Sequence, residues 1–543
     1  MATVLLFFIH LPGICLFQGE FTDGVLQTVY FQDPIYVVGE GVPPAKYVPP
    51  LFPALISVLA NLGLEPLEAG RLISLVFYCG VAIVLGHLGI WLGNKSKGPH
   101  SPQLLGWAAW AFWALSPVAN RWALHSMSDM TFCFFSSLSL LFFLRFSSEG
   151  KPGEIRLWAL GNLAALCAVW TRYQGYALAG AALLSMGIVF YRASRFPKEG
   201  ERTGLERCLN HKYILVCLLL IAAWAQTYTL QKQGRTIHEG QFSERAVYDA
   251  SIYLNFALTG LRYLPYAVTP PLFVLFLVGV GGSLRKGGLW SIWTGIGLLG
   301  GLAGLAVQTW FLSFQFRYGL PLLPWICLVG GLGLAMLPKK FLIPAEVIAL
   351  VWLGGFTGAV LYFQHGTFAD IEAAARDIPD RLEEGDRVWA REEYNFLPDG
   401  KVKYGNVKVS VWSGVPVRWL DEESLTELQE GDLIVDPNVT PIPAEFWRRI
   451  RTRWKTEAII EKVSRSVPLT PGEILWVDYP TPQGPRVIRG TSDPNLMRFR
   501  YKTQYYSTTV YRLHSPKTEP ELPITSPPEG STLKKSKNDS EPE

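Results

Sequence analysis

The chain has 543 residues, 49% of them hydrophobic and only 17% charged, with a formal net charge of +4. Soluble domains carry about 25% charged residues, so a single soluble globule is excluded. A small net charge with no basic stripe among the aromatics also excludes a nucleic-acid binder.

The mean hydropathy of +0.20 averages two unlike parts. Residues 1–363 consist largely of apolar runs, whereas 364–543 have ordinary soluble composition. A membrane span needs about 20 apolar residues. The runs that approach this length are 3–18, 70–93, 103–117, 127–146, 157–171, 174–191, 213–230, 265–283, 288–309, 319–337 and 342–362, about eleven in all. The first, third and fifth are short. The first also reads as a signal peptide, although it has no basic leading segment and no clean small-residue cleavage site.

Lys and Arg concentrate in the connections 94–102, 145–156, 192–212, 284–287 and 338–341. The positive-inside rule then places the N-terminus in the cytoplasm and everything after residue 363 outside. The loops 19–69 and 231–264 fall on the outer side. Within the first, residues 51–63 are apolar but too short to span, and they are expected to form a helix lying in the membrane interface. Pro43, Pro44, Pro49 and Pro50 ahead of it favour extended backbone.

Beyond 363, FADIEAAARDIPDRLEEGDRVWA reads as a helix, a turn at Gly385 and a strand. VKVSVWSG, GDLIVD and EILWVDY read as further strands by their β-branched and aromatic content. FWRRIRTRWKTEAIIEKV reads as an amphipathic helix passing into a strand. Helices alternating with strands give a small α/β domain over 364–513. The Pro-, Ser-, Lys- and Glu-rich remainder, 514–543, has the composition of a disordered tail.

The seven cysteines have neither the arrangement of a disulfide framework nor metal-ligand spacing. No ligand motif marks a divalent metal site, and the sequence leaves a metal open. The candidate functional residues are charged groups at the outer ends of the apolar runs, where charge is costly unless it has a task. Glu20 and Asp23 lie in GEFTDG directly after the first run. Lys46 precedes the second Pro-Pro pair. Arg71 begins the second run, Arg172 ends the fifth and Arg317 begins the tenth. For the basic residues, snorkelling to the interface is the plainer reading; for Asp23 it is a cap or turn residue before Gly24. Asp129, beside His125, Ser126 and Ser128, either pairs an arginine, lines a pocket or caps its helix. His238 stands in the 231–264 loop among charged and aromatic neighbours.

In order and placement, GEFTDG, AKYVPPLFPALISVLANLGLEPLEAGRLISL, SPVANRWALHSMSDMTF, TRYQG and FRYGLPLLPW resemble the GT-C glycosyltransferases. The likeness is to the family 39-like group of protein O-mannosyltransferases and aminoarabinose transferases, and it covers residues 1–363. It implies a GT-C-like polytopic helical membrane fold and a bacterial inner-membrane location. It further implies transfer of a sugar from a polyprenyl-phosphate donor to a lipid, glycan or protein acceptor at the outer face.

Inverting transfer needs a carboxylate that takes the acceptor's proton, a role the resemblance implies for Asp23 with Glu20 beside it. The family commonly has Asp-Glu where this chain has Asp23-Gly24. The departing lipid phosphate needs cations, for which Lys46, Arg71, Arg172 and Arg317 stand ready. Asp129, Tyr318 and His238 are the expected substrate-lining residues. The competing reading is a transporter or flippase for a lipid-linked sugar. Such a protein is expected to show internal repeats and mid-membrane charges, and the sequence shows neither.

Overall fold

The computed structural model describes residues 1–16, 28, 49–96, 101–149, 155–195, 211–233, 268–286, 313–315, 319–364, 368–391, 407–438, 441–466, 474–478, 486–489 and 504–515, with isolated positions between 254 and 302. The helical part contains α1 (Ala2–Leu16), α2 (Leu51–Asn61), α3 (Pro66–Ser96), α4 (Pro102–Ala114), α5 (Pro117–Ala123), α6 (Asp129–Glu149), α7 (Ile155–Thr171), α8 (Ala177–Arg195), α9 (His211–Gln233) and α10 (Pro270–Lys286). After the short strand β1 (Ser313–Gln315) come α11 (Leu323–Met336) and α12 (Lys339–Gln364). Ten of the expected apolar runs coincide with these helices. The run 288–309 lies largely outside the described residues. Among the described residues four helices are long and apolar enough to cross a membrane, and six more are shorter apolar helices.

The third run is short because the chain breaks it. Ser101 and Ser116 each accept an N–H at the start of a helix, from Leu104 and Ala119, and a proline follows each serine. Serine at the cap and proline at the first helical position are a start signal, so α5 begins anew at Pro117. The restart leaves carbonyls at the end of α4 without helical partners, a serious cost inside a bilayer. Those of Ala114 and Leu115 find side-chain donors, and the Ser116 carbonyl takes one in addition to its helical bond from the Asn120 N–H. The Ala114 carbonyl accepts from Tyr78 Oη at 2.7 Å and from Asn120 Nδ2 at 2.9 Å. The Leu115 carbonyl accepts from Thr357 Oγ1 at 2.7 Å, and the Ser116 carbonyl from Asn120 Nδ2 at 2.8 Å.

Asn120 is wholly buried, and its Oδ1 lies 2.6 Å from Nε2 of the buried His10 on α1. The polar atoms of α1, α3, α4, α5 and α12 thus close around one break. By these bonds, and by the packing of Leu6 and Ile14 in the main core, α1 is built into the helical body.

Small residues set the closest helix crossings, as membrane packing favours. A side chain at Gly89 on α3 would stand 2.7 Å from the Gly106 backbone on α4. One at Gly333 on α11 would collide with the Leu275 carbonyl on α10.

The remaining elements are α13 (Ala369–Asp377), β2 (Val388–Ala390), α14 (Val407–Ser413), β3 (Val417–Trp419), β4 (Leu433–Pro437), α15 (Ala444–Arg453), β5 (Lys455–Ser466), β6 (Ile474–Asp478), β7 (Arg486–Arg489) and β8 (Gln504–His514). Five strands form a mixed sheet in the order β3-β2-β4-β8-β5, with β2 parallel to β3 and β4, and β8 antiparallel to β4 and β5. Alternate residues feed two cores. Val388, Ala390, Leu433 and Val435 meet α13 on one face, while Trp389 and Ile434 meet Leu425 and Ile450 on the other. β6 pairs antiparallel with β7 and with β1, joining this part of the chain to residues 313–315.

One expected strand is a helix: VKVSVWSG forms α14 over Val407–Ser413. Packing overrides propensity there. The segment crosses between the parallel strands β2 and β3, packs against α13 and buries Val409 in the core beneath it. The tail from 516 lies outside the described residues.

Candidate functional site

One end of the helical body gathers the termini of five helices. α1 ends there and α3 begins there: Arg71, itself buried, donates from Nη1 to the Ile14 carbonyl at 3.2 Å. A cation suits the carbonyl end of a helix, where the backbone dipole is negative. The loop between α5 and α6, Leu124-His125-Ser126-Met127-Ser128, lies over the start of α3. Any side chain at Gly70 would strike Ser126 Oγ, and Ser74 Oγ donates to the Met127 carbonyl at 3.1 Å. His125, Ser126 and Ser128 are all buried.

α6 starts with Asp129, which is 1% exposed. Its Oδ1 accepts from Arg172 Nη1 in an ion pair. Arg172 stands just past the end of α7, in extended backbone, and opens the turn Tyr173–Tyr176. The glycine of TRYQG has a steric reason: a side chain at Gly175 would sit 2.5 Å from the Val169 backbone. Only glycine lets this turn fold back on the last turn of α7. Among the described residues the second carboxylate oxygen of Asp129 has no hydrogen-bond partner. A buried carboxylate with one oxygen so placed is equipped to receive a hydroxyl or a cationic group.

Two further elements reach this end. α2 packs on α3 and α7, burying Phe52 and Ile56. The turn Leu320–Leu322 packs against α6. The structure therefore brings Asp129 and Arg172 into contact and places Arg71 nearby, bonded to α1.

Glu20, Asp23, Lys46, His238, Arg317 and Tyr318 lie outside the described residues. Covalent geometry still bounds four of them. Asp23 follows the end of α1 by seven residues, a reach of at most about 25 Å. Lys46 precedes α2 by five residues, and Arg317 and Tyr318 stand between β1 and the 320–322 turn. Sequence reasoning passed over His10, Tyr78 and Asn120, the polar network that fixes α1. Its signal was present as a histidine inside the first apolar run and an asparagine just past the third. Among the described residues no group of three His, Cys, Asp or Glu side chains is arranged to hold a metal ion.

No protein-family model matches the chain, and no curated protein matches it. Solved structures do. The apo crystal structure of ArnT from Cupriavidus metallidurans superposes with a TM-score of 0.53 at 13% identity, over 84% of this chain and 94% of that one. The same protein bound to undecaprenyl phosphate gives a TM-score of 0.54 at 13% identity, over 85% and 95%. The chain has the ArnT fold. With its apolar helices, that fold makes it a multi-pass membrane protein, and the GT-C-like architecture expected from the sequence holds.

Proposed function

We propose that this protein is an integral membrane glycosyltransferase that moves a sugar from a polyprenyl-phosphate donor to an acceptor at the outer face of a bacterial inner membrane. The observation that carries the reading is the ArnT fold over 84–85% of the chain, together with an ArnT structure that holds undecaprenyl phosphate. The buried Asp129–Arg172 pair at the end where five helix termini meet supports it independently.

In this reading the loop leaving α1 carries Asp23, the general base, into that end, with Glu20 beside it. Asp23 takes the proton of the acceptor hydroxyl as its oxygen attacks C1 of the sugar, and the phosphate leaves from the opposite face with inversion. Negative charge accumulates on the phosphate oxygens as the C1–O bond breaks. Arg172, Lys46 and Arg317 stabilise it, in a site where scarce water strengthens each charge interaction. Asp129 fixes the Arg172 guanidinium in place beside the phosphate. Tyr318, His238 and the free oxygen of Asp129 line the substrate. Arg71 anchors the end of α1 and adds positive potential.

The test is Asp23→Asn in protein reconstituted with a polyprenyl-phosphate sugar and an extract of envelope acceptors. General-base loss is expected to lower the transfer rate about 10²- to 10⁴-fold, while donor binding and the melting temperature stay near wild type. Undiminished transfer by Asp23→Asn removes the base assignment. Failure of the wild type to bind any polyprenyl-phosphate sugar removes the whole reading.

A further inference from the structure

The five-stranded sheet has two ends. At one, α13, which follows α12 from the helical body, is bonded through Asp370 to Ser464 on β5 and Thr508 on β8. At the other, Lys455 and His514 stand opposite each other, about 30 Å further along β5 at 3.3 Å per residue. A pocket of about 350 Å³ opens at this far end, between the last turn of α15 and the 424–428 turn. That volume lies at the small end of specific ligand sites, about 300–1,000 Å³.

The buried side chains of Leu425, Leu428 and Ile450 form the deepest part of the lining, with the half-buried Trp454 beside them. Arg449 and Arg453 stand at the rim, one turn apart on one face of α15. Glu422 lies 3.8 Å from Arg449. Among the described residues Arg453 has no carboxylate partner.

The chain leaves the sheet beside this pocket. The Ser515 N–H donates to Glu430 Oε1 at 3.2 Å, and the Ser515 hydroxyl lies 2.6 Å from Glu430 Oε2. Glu430 comes two residues after Leu428, and Lys455, opposite His514, directly follows Trp454. The sequence continues as PKTEPELPI, residues 516–524. It holds a Pro-x-x-Pro motif at 520–523, with Glu519 ahead of it and Leu522 inside it. Such motifs favour polyproline II, a backbone that costs little entropy to dock on aromatic surfaces. Three residues per turn put Pro520 and Pro523 on one edge of that helix and Glu519 and Leu522 on the next.

We infer that this pocket binds residues 519–523 of its own chain. Pro520 and Pro523 rest on Trp454, Leu522 enters among Leu425, Leu428 and Ile450, and Glu519 meets Arg453. Charge and length select this occupant. The motif's acid falls where the rim has an arginine without an acid, and residues 516–519 span about 12 Å, enough to carry the motif from Ser515 over the rim. Docking laces the end of β8 to α15 and leaves the transfer site, at the other end of the sheet and beyond it, untouched.

Disulfide trapping in the full-length protein tests the inference. Thr426→Cys on the pocket rim is paired with Thr525→Cys, just past the motif, or with Ser540→Cys as a control, and mass spectrometry of digests identifies the bridged peptides. The 426–525 bridge is expected to form about tenfold faster than the 426–540 bridge, because docking raises the local concentration. Leu522→Ser removes that advantage. Arg453→Glu lowers the rate about threefold, the weight of an exposed pair lost, and adding Glu519→Arg restores it. Melting temperatures near wild type show that each variant is folded. Equal rates for the two bridges overturn the inference. So does an unchanged rate in Arg453→Glu, or a 426–525 bridge that forms only between two copies of the chain.

Discussion

Asp129 and Arg172 form the pair on which the proposed site is organised, and their unequal burial makes its two halves unequal. Asp129 is almost fully enclosed, whereas the Arg172 side chain is 15% exposed. Removing the arginine strands a buried carboxylate, and breaking buried pairs in this way costs about 3–5 kcal/mol. Arg172→Ala is therefore expected to lose activity and to lower the melting temperature in detergent. Asp129→Asn keeps a neutral acceptor for Arg172 and is expected to lose far less stability. If both variants melt like the wild type, the pair has no structural weight. The sequence showed both residues as charges at the ends of apolar runs, and it offered an arginine partner as one reading of Asp129. Forty-three positions separate them, and only the antiparallel packing of α6 on α7 selects Arg172. The glycine of TRYQG had no evident reason in sequence, because its constraint comes from backbone one turn earlier, at Val169.

Among the elements, the break between α4 and α5 is the most instructive. Pro117 and the shortness of the third run made an interruption legible in sequence. What was not legible is that Tyr78, Asn120 and Thr357, from three other places in the chain, would supply donors to the exposed carbonyls. Such partners depend on tertiary placement, which no local pattern encodes. Asn120→Leu removes one donor each from the Ala114 and Ser116 carbonyls and leaves His10 Nε2 without its partner. An unsatisfied buried polar group costs about 1–3 kcal/mol, so this variant is expected to melt earlier and to expose α1 to protease. Thr357→Val removes one bond at the rim of the same break and is expected to cost less. The helical α14 teaches a related lesson in the other direction. Its β-branched residues read as a strand, yet joining the parallel strands β2 and β3 requires a crossover segment, and a helix is the usual one.

At the scale of the molecule, the apolar runs made the helical architecture readable, and the resemblance drawn from GEFTDG, TRYQG and FRYGLPLLPW anticipated a fold shared with ArnT at only 13% identity. The outer side of the membrane is proposed for the sheet on the strength of loop charge. A reporter enzyme active only outside the cytoplasm, fused after residue 363, is expected to be active, whereas a fusion within 192–212 is expected to be silent. The reverse pattern overturns the proposed orientation and with it the outer-face reaction. The sheet has a further property that bears on how the protein is made. Its last strand, β8, is not at an edge but between β4 and β5, and it bonds to both along their lengths. Until the chain has emerged as far as residue 514, β4 and β5 have no neighbour in common and each presents an open edge, the template on which chains aggregate. The helical body can insert span by span during synthesis, but the sheet can close only after residues 504–514 have left the ribosome. A transcript truncated before residue 504 would therefore deliver helices to the membrane with an unclosed sheet attached, a species for quality-control proteases rather than a smaller folded protein.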